Sequence, residues 1–216
     1  MLLRELLDLL LPPVCGDCGA STDGAPLCPR CDEPPPDPLP APPRPLAAWR
    51  AGVSYEGRAA DWIRRFKYPQ PGFRGLDAAA DGVAIAWALR AARALGSVPD
   101  AIVPVPLHAR RLRERGFSPP ALLARAIARE VGARFEPGLL ARLRDTPSQT
   151  GLARLARRRN VAGAFVALAR SPRRVWLVDD VVTTGATLAS VARVLRRAGA
   201  REIAALAAAH RALGAR

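Results

Sequence analysis

Lysine is nearly missing from this chain: Lys67 is the single one among 33 basic residues, and all the others are arginine. Aromatic residues make up only 5% of the sequence, which leaves little material for a surface that grips nucleic-acid strands by stacking bases. No apolar run reaches the roughly 18 residues of a membrane-spanning helix, so the chain reads as soluble. The opening stretch MLLRELLDLLLPPVC interleaves Arg4, Glu5 and Asp8 with leucines. It lacks the basic start, unbroken apolar stretch and small-residue cleavage site of a secretory signal, and an amphipathic helix over 2–11 is expected instead. Neither GxxxxGK[ST] nor GxGxxG occurs, so nucleotide loops of those two kinds are excluded. No internal repeat is visible.

With 216 residues, half of them apolar, the chain can form one core of roughly 150 residues and a small appendage. The net charge of +14, carried by arginine, suits phosphate-rich partners, because a planar guanidinium matches phosphate oxygens in pairs. Codon bias in a sequence rich in Ala, Arg, Gly and Pro produces the same excess, so charge alone does not name the partner.

Composition divides the chain into three parts. Residues 1–32 hold the opening helix and all four cysteines. Residues 33–46, EPPPDPLPAPPRPL, are eight-fourteenths proline and read as a semi-rigid linker. Residues 47–216 alternate strand-like and helix-like stretches. Strands are expected at 48–55, 101–106, near 165–168, at 173–180 and at 202–209. Helices are expected at 58–68, 76–95, 120–132 and 186–200, the last stopped by Gly199. That alternation implies an α/β fold with a mostly parallel sheet flanked by helices.

Cys15, Cys18, Cys28 and Cys31 form two CxxC pairs separated by nine residues. A tetrahedral Zn²⁺ wants four soft ligands, and each CxxC turn offers two thiolates from one side. Disulfides fit poorly with a chain that shows no secretory signal, and a redox CxxC would open a helix of a βαβ unit. A structural zinc ribbon is the reading, with no open position for catalysis.

The densest stretch is VWLVDDVVTTGATL, residues 175–188. A buried strand running into a hydroxyl-and-glycine turn and then a helix is how open α/β sheets hold phosphate, through backbone N–H groups, the helix dipole and threonine hydroxyls. Thr183, Thr184, Gly185, Ala186 and Thr187 suit that role. Asp179 and Asp180 would repel a phosphate, so they must meet something else, either vicinal sugar hydroxyls or a divalent cation. A phosphorylated ribose satisfies both halves.

This stretch resembles the phosphoribosyl-pyrophosphate (PRPP) motif of type I phosphoribosyltransferases. Three other stretches narrow the resemblance to the ComF family: IVPVPLHARRLRERGFSPPALLARAIA (102–128), TPSQTGLARLARRRNVAGAF (146–165) and SYEG…KY (54–68), together with the paired CxxC motifs. One departure is RGFSPP, residues 115–120, where the family reads RGFNQ; Ser118 can still cap the following helix, with a proline in its first turn.

The resemblance implies a type I phosphoribosyltransferase fold carrying a small N-terminal zinc ribbon with four cysteine ligands. It implies that Asp179 and Asp180 are the catalytic acids and, with Thr183 to Thr187, bind PRPP. The loop after Val103–Pro106 would face pyrophosphate, with His108, Arg110, Arg111, Arg113 and Arg115 nearby. A mobile cover over 146–160 would bring Gln149, Arg154, Arg158 and Asn160. Mg²⁺ would accompany PRPP and neutralise its leaving pyrophosphate, and a phosphoribosyltransferase activity would follow if an acceptor exists. No segment reads as an acceptor pocket. The resemblance also implies a role in natural competence, on the cytoplasmic side of DNA uptake. The competing reading is a non-catalytic adaptor whose zinc ribbon and arginine-rich surface bind single-stranded DNA or a competence helicase.

Overall fold

A computed structural model describes residues 13–33, 39–68, 78–144 and 163–212. The expected opening helix at 2–11, and the residues Gln149, Arg154, Arg158 and Asn160 of the expected cover, lie outside the described residues.

The centre is a five-stranded sheet of β1 (Ala48–Ser54), β2 (Ala101–Pro104), β3 (Arg134–Phe135), β6 (Arg174–Val182) and β7 (Glu202–His210), in the order β1-β7-β6-β2-β3. Every pairing in it is parallel. The strands are buried almost end to end, as in AIVP of β2 and IAALAAAH of β7, which is what a sheet covered on both faces requires. The fold class expected from the sequence is therefore present: a mostly parallel sheet flanked by helices, with a four-cysteine cluster at its N-terminal side.

On one face lie α1 (Gly57–Lys67), α2 (Ala78–Arg93) and α4 (Pro119–Val131), whose buried side chains Trp62, Ile63, Phe66, Trp87, Leu123 and Ile127 share one core with the sheet. On the other lies α5 (Ala186–Arg197), packed through Leu188, Val191 and Leu195. Alanine in both α2 and β7 lets helix and sheet approach closely, and Gly52 in β1 takes this furthest. A Cβ there would sit 2.0 Å from the Trp87 carbonyl oxygen, so only glycine allows α2 to cross β1 at this distance.

The stretch near 165–168 forms a strand, β5 (Phe165–Ala167), but not in the main sheet. It pairs antiparallel with β4 (Leu140–Arg142), which the periodicity did not signal, and the hairpin covers the α5 side through Leu140, Ala164 and Phe165. A three-residue strand is too short to show a period. The short α3 (Ala109–Arg115) is also absent from the periodic reading, because it buries no residue at all. Ser118 caps α4 as its sequence suggests, accepting from Ala121 N at 3.4 Å, with Pro119 and Pro120 in the first turn.

The connections fix where a ligand can enter. From β2 the chain passes through α4 on one face to β3; from β6 it passes through α5 on the other face to β7. The two crossovers diverge between β2 and β6, which makes this the switch point where open α/β sheets take ligands, at the carboxyl ends of the strands.

Candidate functional site

The acid pair stands at that switch point. Strand β2 stops opposite Val178, where Pro104 pairs with it and Val105 N donates to the Val178 carbonyl at 2.8 Å. Strand β6 continues beside β7 for four more residues, with Asp179 opposite Ala207 and Val182 opposite His210. Asp179 and Asp180 therefore outrun β2 and, among the described residues, have no strand partner on that flank. Their carboxylates are braced by the local backbone: Asp179 Oδ1 accepts from Asp180 N at 2.9 Å, and Asp180 Oδ1 from Val181 N at 2.6 Å.

The one lysine of the chain ends on this pair. Lys67, the last residue of α1, places Nζ 2.8 Å from Asp180 Oδ1, with both side chains largely buried. Burial works against the ammonium charge, but the attraction and hydrogen bond of Asp180, helped by Asp179, hold its pKa above the ordinary lysine value. Asp179 moves the other way from a normal carboxyl. Burial and repulsion from Asp180 push it up to about 7, against the opposing pull of the Asp180 N–H, Lys67 and Arg142.

Behind the acids comes the turn. Gly185 caps α5 with φ +69°, and Thr184 Oγ1 accepts from Ala186 N at 3.3 Å. The described end of the proline-rich stretch lies against it: a Cβ on Gly185 would meet Pro43 Cγ at 2.8 Å and Trp49 Cζ3 at 3.0 Å. Trp49 Nε1 donates to the Pro40 carbonyl at 2.6 Å, and the Trp49 ring meets His210 edge-on, with centroids 5.6 Å apart. His210 is buried, and burial lowers its pKa despite the opposing Thr183 carbonyl.

Of the residues expected at the loop after β2, His108 serves as the N-cap of α3, its Nδ1 accepting from Arg110 N at 3.3 Å. Arg110 pairs with Glu114 within the same helix at 2.8 Å. Arg115 stacks on the Tyr68 ring at 4.8 Å, and Phe117 meets Phe66 at 6.2 Å. The C-terminal end of α1 thus joins the RGF segment to the acid pair, bringing together SYEG…KY, RGF and DD. Arg111 and Arg113 lie on the same helix.

Sequence reading assigned no role to Lys67, His210 or Arg142. Lys67 had a signal in its rarity. Arg142 stacks on Phe165 at 5.4 Å and its charge reaches Asp179, a contact across the hairpin that no local pattern announces.

The four cysteine sulfurs lie within 4.8 Å of one another, and Cys18 and Cys28 are 3.7 Å apart. A tetrahedron with metal–sulfur bonds of about 2.3 Å has edges of about 3.8 Å, so the cluster is positioned to bind a metal ion. None of the four is in a disulfide. Backbone N–H groups of Cys28, Cys18 and Asp17 point at Cys15 and lower its pKa to about 6, whereas burial and the neighbouring thiols push Cys31 up to about 12. Among the described residues this is the one group of metal-ligating side chains gathered in this way.

The cluster is fastened to the α/β body. A Cβ on Gly16 would sit 3.2 Å from Trp62 of α1; Trp87 Nε1 donates to Asp32 at 2.8 Å; Arg90 pairs with Asp32; and Arg58 pairs with Asp17 at 2.7 Å.

Over 110 residues the chain is 38% identical to competence protein F of Haemophilus influenzae, covering 49% of this chain and 48% of that protein. Over 114 residues it is 40% identical to the DNA utilization protein YhgH of Escherichia coli, covering 52% and 50%. The ComF resemblance is borne out. The chain spans about half the length of the curated relatives it matches. No family model matches it. Among solved structures, the allosteric regulatory enzyme of purine biosynthesis superposes with a TM-score of 0.42 at 20% identity, over 68% of this chain and 30% of that one. No helix among the described residues is long and apolar enough to cross a membrane.

Proposed function

We propose that this ComF-like chain binds PRPP, or the ribose 5-phosphate part of it, through a type I phosphoribosyltransferase-like site, and acts in the cytoplasmic handling of incoming DNA. The observation that supports this best is the acid pair at the end of β6, at the switch point of the sheet, followed directly by the Thr183–Thr187 turn at the start of α5. Carboxylates accept hydrogen bonds, so Asp179 and Asp180 are suited to vicinal ribose hydroxyls. The turn presents backbone N–H groups and threonine hydroxyls to the 5-phosphate. Pyrophosphate would face the loop from His108 to Arg115, its charge shared by Arg111 and Arg115, with Gln149, Arg158 and Asn160 assigned to the cover.

Mg²⁺ supplies charge neutralisation of the pyrophosphate when bound, and the acids stand where positive charge on the ribose would develop. The four cysteines suit Zn²⁺ by donor type and spacing, and all four positions of a tetrahedron are taken by protein, so the metal's part is structural. The names of the relatives, competence protein F and DNA utilization protein, support placing this chemistry in DNA uptake.

Isothermal titration of PRPP with and without Mg²⁺ tests the reading. The wild-type chain is expected to give saturable heats that an Asp179→Asn, Asp180→Asn double variant loses. Equal heats from the two proteins would remove the site assignment.

A second reading rests on the +14 charge: an adaptor gripping single-stranded DNA or a competence helicase through the arginine surface and the cysteine knuckle. A phosphate-driven grip weakens steeply with salt. Oligonucleotide binding that stayed level between low and moderate salt would count against it.

A further inference from the structure

Two adjacent carboxylates, Asp180 buried and Asp179 half-buried, normally call for a cation, and in many phosphate-handling sites that cation is a divalent metal. Here the chain brings its own. We propose that Lys67 is the resident counter-cation of the acid pair: its ammonium stands where a divalent ion would bind Asp180, so that Asp179 and Asp180 recognise sugar hydroxyls and do not hold metal.

The geometry makes the case. Nζ lies 2.8 Å from Asp180 Oδ1, at the end of a helix whose neighbouring Ile63 and Phe66 are fully buried and fix its course. The Oδ1 atoms of both acids are already engaged by backbone N–H groups, and on Asp180 by the lysine as well. The Oδ2 atoms are then left as the acceptors for sugar hydroxyls. A lysine head in this position neutralises one carboxylate without the shell of tightly held waters that Mg²⁺ keeps. It also lowers the negative charge that an incoming sugar phosphate would meet. Thirty-two of the 33 basic residues are arginine, yet the exception is the side chain at this spot. A guanidinium is planar and forked, and would take both oxygens of the Asp180 carboxylate; an ammonium is compact and can touch Oδ1 while leaving Oδ2 open. The inference deepens the sugar-phosphate reading and rests on it only for the ligand arm of the test.

Two measurements on the full-length, zinc-loaded protein decide it. In the first, Mn²⁺ is titrated without ligand and the free ion is followed by electron paramagnetic resonance. The wild type is expected to bind no Mn²⁺ at the acid pair. Lys67→Met or Lys67→Gln, checked for folding by circular dichroism, is expected to gain one site that a further Asp180→Asn change abolishes. In the second, ribose 5-phosphate is titrated calorimetrically. Lys67→Met is expected to weaken binding by about ten-fold or more, the effect of losing a charged hydrogen-bond partner that positions the acceptor, and Lys67→Arg to restore part of it. A wild-type Mn²⁺ site that disappears in Asp180→Asn would overturn the proposal, whether or not the lysine variants fold. So would unchanged ribose 5-phosphate affinity in a folded Lys67→Met protein. If ribose 5-phosphate binds neither protein, the sugar-phosphate reading fails, and the Mn²⁺ result still decides the role of Lys67.

Discussion

Asp179 carries the most direct consequence at the scale of single residues. Its pKa in the folded protein is about 7, raised by burial and by the charge of Asp180, whereas an unfolded chain would release the proton near 3.8. Between those values the native state keeps a proton that the unfolded state has lost, so stability falls as pH rises from about 4 to 7 and is level above that. The cost at pH 8 is at most about 4 kcal/mol, and smaller to the extent that Lys67 and Arg142 relax toward the charge. Asp179→Asn removes the group that titrates. Urea denaturation is expected to show the variant more stable than the wild type at pH 8, with the advantage shrinking toward pH 5. A difference that stayed constant across this range would mean that Asp179 is already ionised. Ligand binding should run the opposite way: a carboxylate that accepts from hydroxyls must be ionised, so ribose 5-phosphate affinity is expected to rise between pH 6 and 8.

At the scale of elements, α2 crosses β1 at a distance that leaves no room for a Cβ at Gly52. Gly52 has no positive φ to demand glycine; what demands it is the Trp87 carbonyl oxygen at 2.0 Å from any Cβ. Gly52→Ala must push the helix off the sheet, and with it Trp87, which is buried and bonded to Asp32. A loss of about 3 kcal/mol or more is expected by thermal or urea unfolding, at the upper end of overpacking costs. A change within about 0.5 kcal/mol would mean that α2 can slide freely. This contact also marks how far the sequence can be read. The strands at 101–104 and 174–182 and the helices at 119–131 and 186–197 follow from long apolar patterns with caps and breakers, and the acid pair and its turn follow from one contiguous string. The pairing of β4 with β5 does not, because neither is long enough to show a period. Lys67 reaches Asp180 across 113 residues of chain and His210 reaches Thr183 through the ladder between β6 and β7, so both depend on the assembled sheet. Trp49, Pro43 and Gly185 meet for the same reason, and a stretch that composition marks as a linker becomes in part a support for the turn.

Helix α1 sets the relation between the cysteine cluster and the acid pair at the scale of the whole molecule. Its first turn is held to the cysteine segment, by Arg58 on Asp17 and by the Ala59 N–H on Glu33 Oε1 at 3.3 Å, and its middle by Trp62 beneath Gly16. Its last residue is Lys67 on Asp180. Eleven residues of helix, about 16 Å long, are therefore fixed at one end by the knuckle and at the other by the site. Metal binding to four thiolates is worth enough to hold such a knuckle folded, and without it the cysteine segment has few apolar residues of its own to replace that contribution. Removing the metal is then expected to act at both ends. Chelation, or a Cys28→Ser, Cys31→Ser change, should expose Trp62 and Trp87, seen as a red shift in tryptophan emission, and should weaken ribose 5-phosphate binding measured by calorimetry. The reverse is not expected: the Asp179→Asn, Asp180→Asn protein should keep its full metal content by elemental analysis, because the knuckle packs on Trp62 and Trp87 and not on the acids. Unchanged ligand affinity after complete metal removal would show that α1 keeps its place through Ile63 and Phe66 alone, and that the cysteine segment and the site are independent.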